Sequence, residues 1–164
     1  GFIVQSSKKI FQFKNNFPLI NNLLKINNDM PEFSKKFILG KIKNPKKKKL
    51  LIVGYSYKND VDDTRYSPTI NLYKKIKKNF LSTEMIDPII DRKKYDLVIK
   101  KNLRNYQIIL LCINHKSFEY KKLIENLNKN SILFDLCFYF SKRKFDSVLR
   151  KQKIKFYQIG KYDQ

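Results

Sequence analysis

The chain has 164 residues, 42% of them hydrophobic and 14% aromatic, enough for one domain with a proper core, alone or with a helical extension, and too apolar for a disordered tail. No apolar run approaches the roughly 20 residues that span a bilayer, and the opening GFIVQSSKKIFQFKNN has too short an apolar stretch for a signal peptide, so a cytoplasmic location is expected. The formal net charge of +22 comes almost wholly from lysine. The few arginines, Arg65, Arg92, Arg104, Arg143 and Arg150, leave little of the planar fork that reads phosphates and bases, which disfavours nucleic acid and leaves phosphates, nucleotides and uronates as fitting ligands.

In chain order, Leu19, Ile20, Leu23, Leu24, Ile26, Met30, Phe33, Phe37 and Ile38 recur at helical spacing, and Gly40 can end the last turn. Pro31 removes a backbone donor, so either one kinked helix or two helices meeting near Asn28 is expected. KNPKKKK from Lys43 reads as a loop and a boundary, dividing residues 1–42 from a domain over 43–164. Strand and helix then alternate. LLIVGYSY is a buried strand, and Ser67 with Pro68 can cap a helix through TINLYKKIKKN. LSTEMIDP is a second strand ending at Asp87 and Pro88, and NYQIILLCI a third. Ser117 can open a helix through FEYKKLIENLNKN, followed by a strand SILFDLC, a helix SKRKFDSVLRKQ and a last strand KIKFYQIG. This rhythm predicts an open, layered α/β sheet of parallel strands with flanking helices, preceded by a long N-terminal helical segment. Cys112 and Cys137 share no metal-ligand spacing and read as small buried hydrophobes; His115 reads as a strand-end histidine with no assigned chemistry.

Ligands of such sheets sit beyond the carboxyl ends of the strands, where GYSYKNDVDDTR follows the first strand. Solvated turn residues are one reading of it. A phosphate loop would need a lysine-bearing P-loop or Gly-x-Gly-x-x-Gly, and neither occurs. A phosphoacceptor receiver domain would need an Asp closing the third strand, which here runs into CINHK.

The segment resembles the C-terminal domain of the UDP-glucose/GDP-mannose dehydrogenase family, whose pattern Gly-x-x-Phe-Lys-x-x-x-x-Asp-x-Arg-x-Ser-Pro is matched by Gly54, Tyr57, Lys58, Asp63, Arg65, Ser67 and Pro68, with tyrosine in place of phenylalanine. Asn27, Met30 and Pro31 are similar to the Asn-x-x-Met-Pro of the family's central helix. Asp87 and Pro88 resemble the Asp-Pro ending its second strand, and His115 and Phe118 the residues after its third. The resemblance implies a Rossmann-like, UDP-sugar-binding domain of an NAD-dependent enzyme that oxidises a nucleotide sugar's primary alcohol to a uronate, on the way to surface polysaccharide. Tyr57 and Lys58 are carried over as substrate contacts and Arg65 as the residue reaching NAD across a domain cleft. Asp62 and Asp63 are expected to position Arg65 or Lys58. A homodimer through the central helix is implied as well.

The pattern also breaks. Gln5, Ser6 and Ser7 stand where the family's catalytic Gly-Gly-x-Cys is wanted, Cys137 stands where many members have a substrate-binding arginine, and the NAD-binding fingerprint is missing. No catalytic residue and no metal is assigned, and turnover is expected only with an NAD-binding domain or chain in trans. Three readings remain: part of a split or longer dehydrogenase, a non-catalytic nucleotide-sugar-binding module, or, least favoured, a basic nucleic-acid-binding domain.

Overall fold

The computed structural model describes residues 18–140, 149–150 and 152–159. The readings made at Gln5 to Ser7, and most of the helix expected over SKRKFDSVLRKQ, lie outside these residues; Leu149 and Arg150 are helical.

Five strands, β1 (Lys49–Val53), β2 (Ser82–Ile86), β3 (Ile108–Leu111), β4 (Ile132–Asp135) and β5 (Lys155–Gln158), form one sheet in the order β2-β1-β3-β4-β5. Every pairing is parallel, with Leu50 beside Thr83 on one side and Ile108 on the other. The expected α/β sheet is therefore present. The central strands are apolar without interruption because both faces are covered. Their alternation sorts the side chains into two cores. Leu51, Val53, Ile109, Leu111 and Leu133 point to one face, and Leu50, Ile52, Ile108, Leu110, Ile132 and Phe134 to the other.

The second core is closed by α1 (Pro18–Gly40), through Ile38, and by α2 (Pro68–Ile76), through Leu72 and Ile76. Pro31 lies inside α1, which runs on as one helix rather than breaking near Asn28. Its ring is buried, and a Glu32 carboxylate 3.4 Å from Lys75 Nζ ties this turn to α2. The other face of the N-terminal half stays bare: Leu19, Leu23, Ile26, Met30 and Phe33 are 43% to 73% exposed. At the start of α2, Ser67 Oγ accepts the Ile70 N–H at 3.4 Å and Pro68 takes the first turn, as the sequence predicts.

The first core is closed by α3 (Arg92–Leu97) and α4 (Tyr120–Asn126). The sequence reading has no helix between β2 and β3. There, Asp91 caps α3 by accepting the Lys94 N–H at 3.1 Å. A π turn over Val98–Asn102 and a 3-10 turn over Leu103–Asn105 carry the chain to β3. Tyr95, Val98, Ile99 and Leu103 anchor this stretch in the core. α4 begins later than expected, after Glu119, and Ser117 does not cap it. Phe118 is instead buried edge-on against Tyr95, ring centres 5.5 Å apart.

With α2 on one face and α3 and α4 on the other, the winding reverses between β1 and β3. A doubly wound sheet opens its ligand crevice at such a switch point, and here that crevice lies between the loops after Val53 and after Leu111. No helix among the described residues is long and apolar enough to cross a membrane.

Candidate functional site

β1 ends at Gly54, which turns with φ +84°. A Cβ here would lie 2.7 Å from Ile113 Cβ and 2.9 Å from Ile113 N, so the glycine is required for the close approach of the β3 loop as well as for its conformation.

The loop beyond Gly54 is organised by a carboxylate at the end of the neighbouring strand. Asp87, fully buried, accepts the N–H groups of Tyr55 (2.8 Å) and Ser56 (3.1 Å) on Oδ2, and those of Ile89 (2.9 Å) and Ile90 (3.3 Å) on Oδ1. Burial alone would raise its pKa. The donated amides of Ile89, Tyr55 and Ser56, with the His115 ring, outweigh it and hold the carboxyl below the usual range.

His115, in the loop after β3, has a wholly buried side chain between this carboxylate and the β1 loop. The Asp60 N–H points at Nδ1 from 2.9 Å, so Nδ1 is the acceptor and the proton is assigned to Nε2. Nε2 faces Asp87 Oδ2 at 3.2 Å and Ser56 Oγ at 3.3 Å. Ser56 in turn donates its hydroxyl to the Lys58 carbonyl at 2.8 Å. Asp60 adopts φ +59° and accepts the Lys116 N–H at 2.8 Å. The loop is thus fixed at Tyr55 and Ser56 on one side and at Asp60 on the other, with Tyr57, Lys58 and Asn59 exposed between.

Of the residues singled out in the sequence, Tyr57 and Lys58 form this tip, with Lys58 Nζ 5.4 Å from the Tyr57 ring centre. The Tyr57 N–H also donates to the Asp63 carbonyl at 2.6 Å. Asp63 grips Arg65, whose Nε and Nη2 approach its carboxylate at 3.1 Å and 2.8 Å. Hydrogen bonding from the Arg65 side chain holds the Asp63 carboxyl below the usual range. The Arg65 side chain is 82% exposed. Asp62 is exposed and forms no hydrogen bond or ion pair among the described residues. The residues that anchor the lysine's loop, Ser56, Asp60, Asp87 and His115, carry no assigned role in the sequence reading. An Asp-Pro closing one strand and a lone histidine just past another were the available signals.

Two further strand-end features bear on chemistry. A cavity of about 160 Å³ lies on the α1 and α2 side of the crevice and is lined in part by Ser34, Thr69 and Cys112. Burial pushes the Cys112 thiol up to about 12, so it holds no thiolate at neutral pH. Asp135, fully buried at the end of β4, accepts the N–H groups of Cys137, Tyr139 and Phe140 and the Gln158 amide. Cys137 is a half-buried free thiol beside it.

An open parallel sheet of this order, with a lysine-bearing loop pinned at its switch point, defines a Rossmann-like ligand-binding domain. The chain belongs to the UDP-glucose/GDP-mannose dehydrogenase family: residues 51–142 match the model of that family's UDP binding domain. It is 30% identical over 146 residues to a UDP-N-acetyl-D-mannosamine dehydrogenase of Methanococcus aeolicus, covering 82% of this chain and 31% of that protein. It is 24% identical over 119 residues to a protein of the same name from Campylobacter jejuni, covering 66% of this chain and 29% of that one. The chain thus spans about a third of the curated relatives it matches. Among solved structures, the UDP-D-ManNAc dehydrogenase of Pyrococcus horikoshii shares the fold at a TM-score of 0.70 and 20% identity, over 90% of this chain and 34% of that one. The UDP-N-acetyl-mannosamine dehydrogenase of Staphylococcus aureus does so at 0.66 and 20%, over 90% and 34%.

Proposed function

We propose that the chain is the C-terminal, UDP-sugar-binding part of a cytoplasmic NAD-dependent nucleotide-sugar 6-dehydrogenase. It holds the nucleotide sugar for oxidation to a uronate in surface polysaccharide biosynthesis. The observation that carries the reading is the Tyr57–Lys58 tip, exposed at the β1/β3 switch point on a loop anchored to the buried Asp87. A lysine binds a pyrophosphate as a point charge, and one fixed at a strand end supplies charge-assisted hydrogen bonds worth about 1.5–3 kcal/mol each. Tyr57 offers an apolar face beside it for the nucleoside or sugar ring.

NAD, the hydride acceptor, finds no Gly-x-Gly-x-x-Gly turn after β1 of this chain, where the sequence runs GYSYKN. In this reading it is held mainly by an NAD-binding domain, in the same polypeptide or in a partner chain. Arg65, exposed and aimed by Asp63, is the residue that reaches it. The bare stripe Leu19, Leu23, Ile26, Met30 and Phe33 repeats every three or four residues, the spacing of a helix that packs on another. It supports a homodimer through α1, and Leu23→Lys with Ile26→Lys is expected to convert a dimer to monomer in sedimentation equilibrium.

The test is calorimetry of the chain at physiological salt against UDP, UDP-glucose and UDP-N-acetyl-D-mannosamine, with duplex DNA as the competing ligand. Binding of the nucleotides, weakened about 10- to 100-fold by Lys58→Ala, supports the reading. Binding of the duplex alone overturns it. NADH formation after addition of a relative's N-terminal domain separates a dehydrogenase part from a binding module.

A further inference from the structure

Three exposed residues, Tyr57, Lys58 and Asn59, are carried between two sets of pins. The pins on the N-terminal side, two amides on Asp87, hold the chain as it leaves β1. On the C-terminal side the chain has already left the sheet, and Asp60 must hold a left-handed conformation, φ +59°. What ties Asp60 back is its own N–H on His115 Nδ1, at 2.9 Å, and the neighbouring Lys116 N–H on its carboxylate, at 2.8 Å. The imidazole side of this clamp is completely buried, where an unmade hydrogen bond is costly and a made one is strong. An apolar side chain could fill the same space but could not accept the amide.

We propose that His115 is a positioning residue for the nucleotide sugar: through Nδ1 it receives the Asp60 amide and so fixes the conformation in which Tyr57, Lys58 and Asn59 meet the ligand. The inference rests on the reading that this tip contacts the UDP-sugar. Asp87 serves both ends of the tip. It accepts Tyr55 and Ser56 directly, and by accepting a hydrogen bond from Nε2–H it favours the tautomer in which Nδ1 is free to accept Asp60. Preorganisation of this kind converts into affinity because the loop's conformational freedom is already lost before the ligand arrives.

Two variants separate this role from packing. In His115→Asn the carboxamide oxygen falls near the Nδ1 position and can still accept the Asp60 N–H; in His115→Gln the amide nitrogen falls near Nε2 and serves Asp87, leaving Asp60 unserved. With the whole chain, we expect His115→Asn to retain UDP affinity and His115→Gln to lose about three- to tenfold, the worth of one hydrogen bond, at matched melting temperatures. The ring nitrogen spectrum of the unaltered chain should report the Nε2–H tautomer, and the Asp60 amide resonance should keep its protection from hydrogen exchange in the Asn variant and lose it in the Gln variant. Equal affinities in the two variants, affinity that merely follows melting temperature, or a proton on Nδ1 would overturn the proposal. Absence of UDP binding by the unaltered chain would instead count against the UDP-sugar reading, and the tautomer and the Asp60 resonance would still decide the role of His115 in setting the loop.

Discussion

The two halves of the loop after β1 are held by different physics. Residues 55 to 60 are pinned to a buried carboxylate and a buried imidazole, while residues 61 to 66 are tied to them by the backbone bond from the Tyr57 N–H to the Asp63 carbonyl and otherwise carry an ion pair in water between Asp63 and Arg65. Buried anchors gain strength from the low dielectric and are expensive to leave unmade, whereas exposed pairs are screened and nearly free to rearrange. The half that presents Tyr57 and Lys58 is therefore built to keep its shape. The half that presents Arg65 is the freer to adjust.

The largest effect is expected at the buried anchor, Asp87. Asp87→Ala leaves four amides and the His115 ring without their acceptor, and a loss on the order of 3–5 kcal/mol in urea unfolding is expected, together with loss of UDP binding. A variant as stable as the parent would mean that the loop finds its conformation unaided. A gentler probe is pH. The Asp87 carboxyl is depressed in the folded chain, so its contribution is fully present above the unfolded value of about 3.9 and is lost as pH falls through the lower folded value. Asp87→Asn should flatten that acid limb of a melting-temperature profile below about pH 4; an unchanged limb would place the acid sensitivity elsewhere. At the other extreme, Asp63→Ala and Arg65→Ala should leave the melting temperature unchanged and UDP affinity intact. Arg65→Ala should slow NAD-dependent turnover once the assembled enzyme is available, and unaltered kinetics would remove Arg65 from the cofactor side.

The sheet was legible because its central strands are apolar on both faces, and the Ser67–Pro68 cap because its chemistry is local. The stretch from Arg92 to Asn105 was missed although Tyr95, Val98, Ile99 and Leu103 keep a helical spacing. Six lysines and arginines dilute that signal, and the π turn interrupts the regular helix. Pro31 left one kinked helix and two helices meeting near Asn28 equally open, and burial of its own turn, tied to α2, goes with the single helix. The site divides in the same way. Tyr57, Lys58, Asp63 and Arg65 could be read from fixed spacing along one loop. The hub of Ser56, Asp60, Asp87 and His115 is assembled from three loops, and no spacing along the chain records a contact made only when β1, β2 and β3 lie side by side.

That assembly imposes an order in time. Each crossover must close before the parallel pair on its far side can form, which makes such pairings late and slow relative to local helices. A chain that has laid β2 beside β1 already has Asp87 for Tyr55 and Ser56, but it has no His115 until β3 docks on the opposite edge of β1. The loop is therefore fully pinned only when β1 has both neighbours beside it, and a partly folded chain, however helical, presents its lysine on a tether rather than a frame.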